Sequence, residues 1–267
     1  MGGLGNNLSQ LFFAYILQSK GYKVEVNNYL CSKNIVTRIL KWYIHDQSVK
    51  TIYNQKFKLI HTNLFLILFD LLLLNISKIF NGWCYNRLFD ANQITSFDEF
   101  QKTINSKYIV LAGYWQRLNI YNENAINQFR NFLFSNIELN HSKKLCVHIR
   151  GGDFIKFNKS LQKSYYRNAL AQVKDCGAPT IFTNDKIFSG ALLADLTRHN
   201  FLENGNSKED FLNMISFNQM ICSNSTFSIW AGLISLAERI IIPKSDGISL
   251  KLNIDVQSFN SKKITII

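Results

Sequence analysis

The sequence predicts an α/β protein of two lobes, each a parallel sheet flanked by helices. Three observations lead there. Apolar runs of strand length alternate with segments of helical spacing through residues 143–267, the pattern of βαβ units. The first half opens with a Gly-rich turn, a helical segment and a strand, the same kind of unit begun again. The length of 267 residues suits one large domain or two small ones, and the pattern breaks near 135–143. The expected lobes are 1–140 and 141–267.

In chain order, Asn7 to Lys20 carries Leu8, Leu11, Phe12, Tyr15 and Ile16 on one helical face. Gly21 suits the position just past its end. Tyr22 to Val26 reads as a strand, and 28–105, whose pattern is hard to parse, holds an apolar run and several helices. Tyr108 to Leu111 is a strand and Ile120 to Phe134 a helix. The second half reads as strand Leu145–Ile149, helix Tyr165–Asp175, strand Thr180–Phe182 and helices Phe188–Arg198 and Asp210–Phe217. Strand Met220–Cys222, helix Thr226–Leu236 and strand Arg239–Ile242 complete it. Two such Rossmann-like lobes facing a cleft make a GT-B-like architecture, and open parallel sheets bind ligands beyond the carboxyl ends of their strands.

Composition limits the function. The hydrophobic fraction of 47% supports a substantial core and argues against disorder. The net charge of +12 is spread evenly: 14 Lys/Arg face 8 Asp/Glu in residues 1–142, and 16 face 10 in 143–267. Such a surface suits polyanions, but no zinc-finger spacing, RNA-recognition signature or basic stripe with interleaved aromatics accompanies it, so nucleic acid is not the expected partner. The five cysteines, Cys31, Cys84, Cys146, Cys176 and Cys222, form no CxxC pair. They read as reduced thiols, with Cys146 and Cys222 as small core residues. Leu64 to Leu74 is an apolar run of 11 residues with Asp70 inside it, short of the roughly 20 needed to span a bilayer, and reads as a buried helix. The start lacks the charged n-region and the small-residue cleavage site of a secretory signal, so the expected location is cytoplasmic.

Four constellations carry chemistry. Gly2-Gly3-Leu4-Gly5-Asn6-Asn7 opens a helix, either as a plain turn or as a cradle in which backbone N–H groups approach a phosphate. Cys146 to Phe154 delivers His148, Arg150 and Asp153 to the end of an apolar strand, beside Gly151 and Gly152. Arg150 either forks onto phosphate oxygens or pairs with Asp153. Thr183-Asn184-Asp185 follows a strand, and its carboxylate either contacts a nucleoside or caps the next helix. Ser223-Asn224-Ser225-Thr226 joins a strand to a helix. One capping residue would suffice there, so four polar residues in succession favour a diphosphate cradle backed by the helix dipole.

Together these segments resemble glycosyltransferase family 11, the alpha-1,2-fucosyltransferases. The family's GGLGNQ-type opening corresponds to Gly2–Asn7, its GYxQ motif to Gly113–Gln116, and its HxRRGDY hallmark to His148–Phe154. Its IFSDD-type strand corresponds to Ile181–Asp185 and its closing ANSTFSWW motif to Ser223–Trp230. The order matches over nearly the whole chain. Gly151 stands where the second Arg of the hallmark is usual, Asn7 where Gln is, and Ile229 where a Trp is.

The resemblance implies an inverting, metal-independent transfer of L-fucose from GDP-fucose to the 2-hydroxyl of a galactose-type acceptor, in bacterial surface-polysaccharide (O-antigen, lipopolysaccharide) biosynthesis. No cofactor is implied beyond the donor. Arg150 would neutralise the leaving diphosphate, with Asp153 and His148 as candidate bases. Gly3, Gly5, Asn6, Asp185, Asn224, Ser225, Thr226 and Ser228 would hold the donor, and Gln116 would touch a galactose-containing glycan. The basic charge is compatible with peripheral contact at the inner face of the cytoplasmic membrane. The alternative is a decayed relative that binds sugar nucleotide or glycan without transfer. Two further expectations follow. An arginine at 151 tightens donor binding if the loop accepts a Cβ. An apolar strand of about five residues belongs just before the Gly-rich turn, upstream of Met1, failing which Tyr108–Leu111 would fill its place.

Overall fold

The computed structural model describes residues 3–27, 58–60, 85–89, 94–104, 108–135, 142–173, 177–196, 198–202, 206–244 and 252–267. The expected buried helix Leu64–Leu74, and Gly2, Cys31, Cys84 and Cys176, lie outside these. The chain divides into two compact units. The first comprises Met1–Tyr121 with Leu252–Ile254, and the second Asn122–Lys251 with Asp255–Ile267.

In the first unit, helix α1 (Leu4–Ser19) begins right at the Gly-rich turn, three residues earlier than its apolar spacing predicts, with Gly3 as N-cap. Leu4, Leu8, Leu11, Phe12, Phe13, Ile16 and Leu17 are all buried, so the helix is covered on most sides. It ends as expected at Gly21, whose φ of 88° lets its N–H reach Gln18 O (3.0 Å) while Tyr22 N–H reaches Leu17 O (3.1 Å). Strands β1 (Glu25–Asn27) and β2 (Lys58–Ile60) pair in parallel, as do β3 (Tyr85–Phe89) and β4 (Tyr108–Ala112). Helix α2 (Phe97–Thr103) starts in a capping box in which Ser96 and Glu99 satisfy each other's backbone N–H groups. Phe13 stacks on Trp115 at 4.8 Å, and Phe100 sets its edge against both rings.

The second unit is built on a six-stranded sheet in which every pairing is parallel, confirming the α/β class. Its strands are β5 (Ser142–Ile149), β6 (Thr180–Thr183), β7 (Asn200–Phe201), β8 (Phe217–Ile221), β9 (Arg239–Ile242) and β10 (Lys263–Ile266), in the order β10-β9-β8-β5-β6-β7. Their near-continuous apolar runs suit a sheet covered on both faces. Val147, Ile149, Ile181, Ile221 and Ile241 form the centre, packed against Tyr166, Ala169 and Leu193 of the connecting helices.

The helices of this unit are α3 (Glu123–Phe134), α4 (Asp153–Lys156), α5 (Lys163–Leu170), α6 (Lys186–Leu193), α7 (Ser207–Met214) and α8 (Thr226–Ile234). Trp230 of α8 is fully buried and meets the edge of Phe129 from α3 at 5.8 Å. Phe217, expected at the end of a helix, instead opens β8. Cys146 and Cys222 are buried free thiols, and burial holds Cys146 well above the usual thiol range and pushes Cys222 up to about 12, the inert state of core cysteine. Lys262 is buried as well. Its Nζ donates to Leu233 O (2.9 Å) and Ser235 O (2.7 Å), satisfying carbonyls at the end of α8, while the Glu123 carboxylate accepts the N–H groups of Asn260 and Ser261. Among the described residues, no helix is long and apolar enough to cross a membrane.

Candidate functional site

The strand order decides where the polar loops meet. β5 lies between β6 and β8, and all three run the same way, so the loops after Ile149, Thr183 and Ile221 emerge side by side at one edge of the sheet. That edge holds the segments 148–154, 183–185 and 223–228, which stand far apart in the sequence. It is the edge at which open parallel sheets take ligands.

Arg150 follows β5 directly. One terminal nitrogen pairs with Asp153 at 3.0 and 3.2 Å, and the guanidinium lies 5.3 Å from the Phe154 ring centre. The ion pair is partly exposed, so it adds little to stability. Nε of Arg150 is buried and has no hydrogen-bond partner. The expected pairing with Asp153 is thus present, and Nε keeps donor capacity.

Gly151 is buried, and its N–H donates to Asn184 Oδ1 at 2.9 Å. A Cβ there would stand 2.7 Å from Asp185 Cβ and 3.2 Å from Phe188 Cδ1. The room that an arginine at 151 needs is therefore absent, which removes the condition under which it would tighten donor binding. Gly152 adopts φ 56°, left-handed backbone that favours glycine, and its missing Cβ would crowd Asn184 Nδ2 at 2.8 Å. Asp185 caps α6 by accepting from Phe188 N–H (3.0 Å). Asn184 carried no role in the sequence reading. Its contact with Gly151 depends on the register Ile149↔Thr183, which no local pattern encodes.

His148 points away from solvent. It is buried, shares a 2.8 Å hydrogen bond between Nδ1 and Ser223 Oγ, and lies 5.6 Å from the Phe227 ring. Burial, aided by the Arg150 charge, pushes its pKa down to about 3. The ring is therefore neutral at ordinary pH and cannot titrate near 6.5. This depression stabilises the fold fully above about pH 6.5, and the contribution drains as pH falls from there toward 3. At ~1.4 kcal/mol per pH unit, urea unfolding at pH 7 and pH 5 should differ by roughly 2 kcal/mol more in the wild type than in His148→Asn. An equal difference in both proteins would show that the folded ring takes up its proton as readily as the unfolded one.

Helix α8 starts at Thr226, and its N-cap Ser225 makes no side-chain capping bond. The hydroxyls of Ser223 and Ser228 face inward. They approach each other at 3.4 Å, and Ser228 Oγ also donates to Ser225 O. Asn224 is buried; its Nδ2 donates to Lys159 O at 2.6 Å, and its Oδ1 has no partner. Ser160 Oγ donates to Arg150 O (3.3 Å), so the 159–160 turn is tied to both Arg150 and Asn224. Neither residue of this turn was singled out from the sequence, where it looks like any polar loop.

In the first unit, the residues expected at two separate motifs meet. Gln116 Nε2 donates to Asn6 Oδ1 at 3.1 Å, lies 3.4 Å from Ser9 Oγ, and is itself buried. Tyr114 also bonds the Asn6 side chain, and Gln10 Nε2 donates to Gly113 O (2.7 Å). A Cβ on Gly3 would meet nothing within 4 Å, so no neighbouring atom demands glycine there. Gly5 is buried in the first turn of α1.

A family model for glycosyl transferase family 11 matches residues 85–248, more than half of the chain. The chain belongs to glycosyl transferase family 11. Among solved structures, the E. coli heptosyltransferase WaaC with ADP is similar at 9% identity and a TM-score of 0.46, covering 100% of this chain and 91% of that one. A comparison with curated proteins gives no match. The matched span of this glycosyltransferase takes in all three loops at the sheet edge.

Proposed function

We propose that this glycosyltransferase moves L-fucose from GDP-fucose to the 2-hydroxyl of a galactose-type acceptor, with inversion and without a divalent metal. The observation that carries this reading is that Arg150 and the start of α8, whose N-cap Ser225 makes no side-chain capping bond, follow neighbouring parallel strands at one sheet edge, since a diphosphate leaving group needs both. In the reaction the bond from the sugar's anomeric carbon to the β-phosphate breaks as the acceptor oxygen bonds to that carbon. Charge grows on the phosphate, where Arg150 donates from its planar fork and the α8 backbone N–H groups assist. The acceptor proton passes to a base. Between the two candidates, Asp153 is exposed, whereas His148 is buried, neutral and a weak base. His148 then holds Ser223 in place.

Residues 141–267 take the donor in this reading. Asp185 contacts the nucleoside while capping α6, and Asn224, Ser225 and Thr226 lie at the diphosphate, with the buried Ser228 hydroxyl holding Ser225 from behind. The acceptor is assigned to residues 1–140 with Gln116 as one contact, its amide oriented by Asn6. A panel of GDP-fucose, GDP-mannose and UDP-galactose with a galactose-terminated acceptor tests the assignment. Transfer is expected from GDP-fucose alone and should survive EDTA. Transfer from another donor, or loss with EDTA and rescue by Mg or Mn, would refute the corresponding part. GDP-fucose binding with neither transfer nor hydrolysis would favour the decayed binder, the reading that Gly151 supports.

A lipid-borne acceptor would bring this edge to a membrane, and its rim suits that. Ile155, Phe157 and Ile187 are 39%, 68% and 89% exposed, with Lys156, Lys159 and Lys186 exposed among them. Each lysine near an anionic bilayer contributes ~1 kcal/mol, and the apolar side chains insert. Pelleting with phosphatidylglycerol vesicles should occur at low salt, fade with added salt, and weaken in Phe157→Ser/Ile187→Ser. Equal pelleting by this variant would place the contact elsewhere.

A further inference from the structure

The orphaned atoms at the sheet edge differ in kind. Nε of Arg150 is a donor and Oδ1 of Asn224 is an acceptor, and both are buried without partners among the described residues. Asn224 is 6% exposed and sits two residues before α8. Its orientation is settled, because Lys159 O can only accept and so must face the NH2 end of the amide, at 2.6 Å. Oδ1 is therefore held as an acceptor beside a helix N-terminus whose N–H groups attract anions.

A buried acceptor left bare costs stability, so its retention calls for a donor that arrives with a ligand. Phosphate oxygens do not meet the need. They accept, and would satisfy Arg150 and the helix while leaving Asn224 unpaired. A hydroxyl gives a hydrogen and can take one, so it matches both orphans. Resting on the GDP-sugar reading above, we propose that Asn224 is a specificity-determining residue whose Oδ1 accepts a hydrogen bond from a sugar hydroxyl next to the donor diphosphate. The hydroxyl belongs to the ribose or to the transferred sugar. Because Oδ1 is screened from solvent, the bond forms as the 159–160 turn, held by Asn224 itself, yields to the ligand.

The test is a binding cycle by calorimetry on the full chain. GDP, 2′-deoxy-GDP and 3′-deoxy-GDP report the ribose arm; GDP-fucose and its deoxy-fucose analogues report the other. For one hydroxyl, its deletion should weaken wild-type binding about tenfold and leave Asn224→Ala binding unchanged. A purely structural role for Asn224 as a tether predicts instead that Asn224→Ala weakens every ligand by the same factor, and that result overturns the proposal. Asn224→Asp keeps an acceptor but loses the bond to Lys159 O. It should preserve the discrimination, and it provides the reading if Asn224→Ala does not fold; loss of discrimination in a folded Asn224→Asp overturns the proposal too. Wild-type protein that binds none of the nucleotides overturns the GDP-sugar reading as well, whereas binding without coupling overturns this inference alone.

Discussion

Replacing Arg150 with alanine should slow transfer by roughly 100-fold or more, about 3 kcal/mol of lost transition-state stabilisation, the scale of removing one preorganised donor from a developing charge. The arginine stands at the carboxyl end of β5, with a buried Nε free to donate and a terminal nitrogen held by Asp153. Affinity for the intact donor GDP-fucose should fall much less, because charge accumulates on the phosphate only as the bond to the sugar breaks. Lysine should rescue poorly, since it brings a point charge and no fork. Steady-state kinetics on folded variants decides it, and near-normal turnover in Arg150→Ala would remove the residue from the mechanism.

The second large effect is expected at Gly151. Even alanine there should destabilise the protein by about 1–3 kcal/mol, the usual cost of forcing an atom into packed space. The crowding comes from Asp185 Cβ at 2.7 Å, an atom next to the backbone that cannot swing aside as the tip of a long side chain would. Gly151→Arg should melt several degrees lower and bind GDP no more tightly than the wild type, although arginine is usual here in the family. The tight approach serves the hydrogen bond from Gly151 N–H to Asn184 Oδ1, which draws the loops after β5 and β6 together. Thermal melts with calorimetry check this; an unchanged melting temperature with tighter GDP binding would contradict it.

The sequence made the second unit legible because its strands are apolar and its helices periodic, and β9 falls where the residues place it, Arg239–Ile242. The ends of elements were less legible. Phe217 is apolar in either a helix or a strand, and only pairing with β5 decides for the strand. Helix α2 was expected only as one of several unplaced helices within 28–105, although Ser96 followed by Glu99 is a readable capping box that would have placed it. The site residues could be named one by one, but not their partners. Asn6 with Gln116, His148 with Ser223 and Gly151 with Asn184 are joined across 110, 75 and 33 positions. Such pairs follow from strand order and register, which periodicity does not specify. The orphan acceptor on Asn224 is further still from the sequence, because it depends on where Lys159 O falls.

The path of the chain through its two units has a practical consequence. Residues 252–254 belong to the first unit, where Asn253 N–H donates to Gln116 O (2.9 Å) and Ile254 bridges Tyr121. The chain then returns to the second unit to add Lys262 and β10. Neither unit is a continuous stretch of sequence. A fragment ending near 121 lacks a backbone partner of Gln116, and one stopping near 251 exposes the β9 edge and leaves the α8 carbonyls of Leu233 and Ser235 without their ammonium. The N-terminal half expressed alone would miss residues 252–254, which the other end of the gene encodes, so co-expression or a circular permutant is the route to the first unit, whereas a fragment of residues 122–267 keeps every piece of the second.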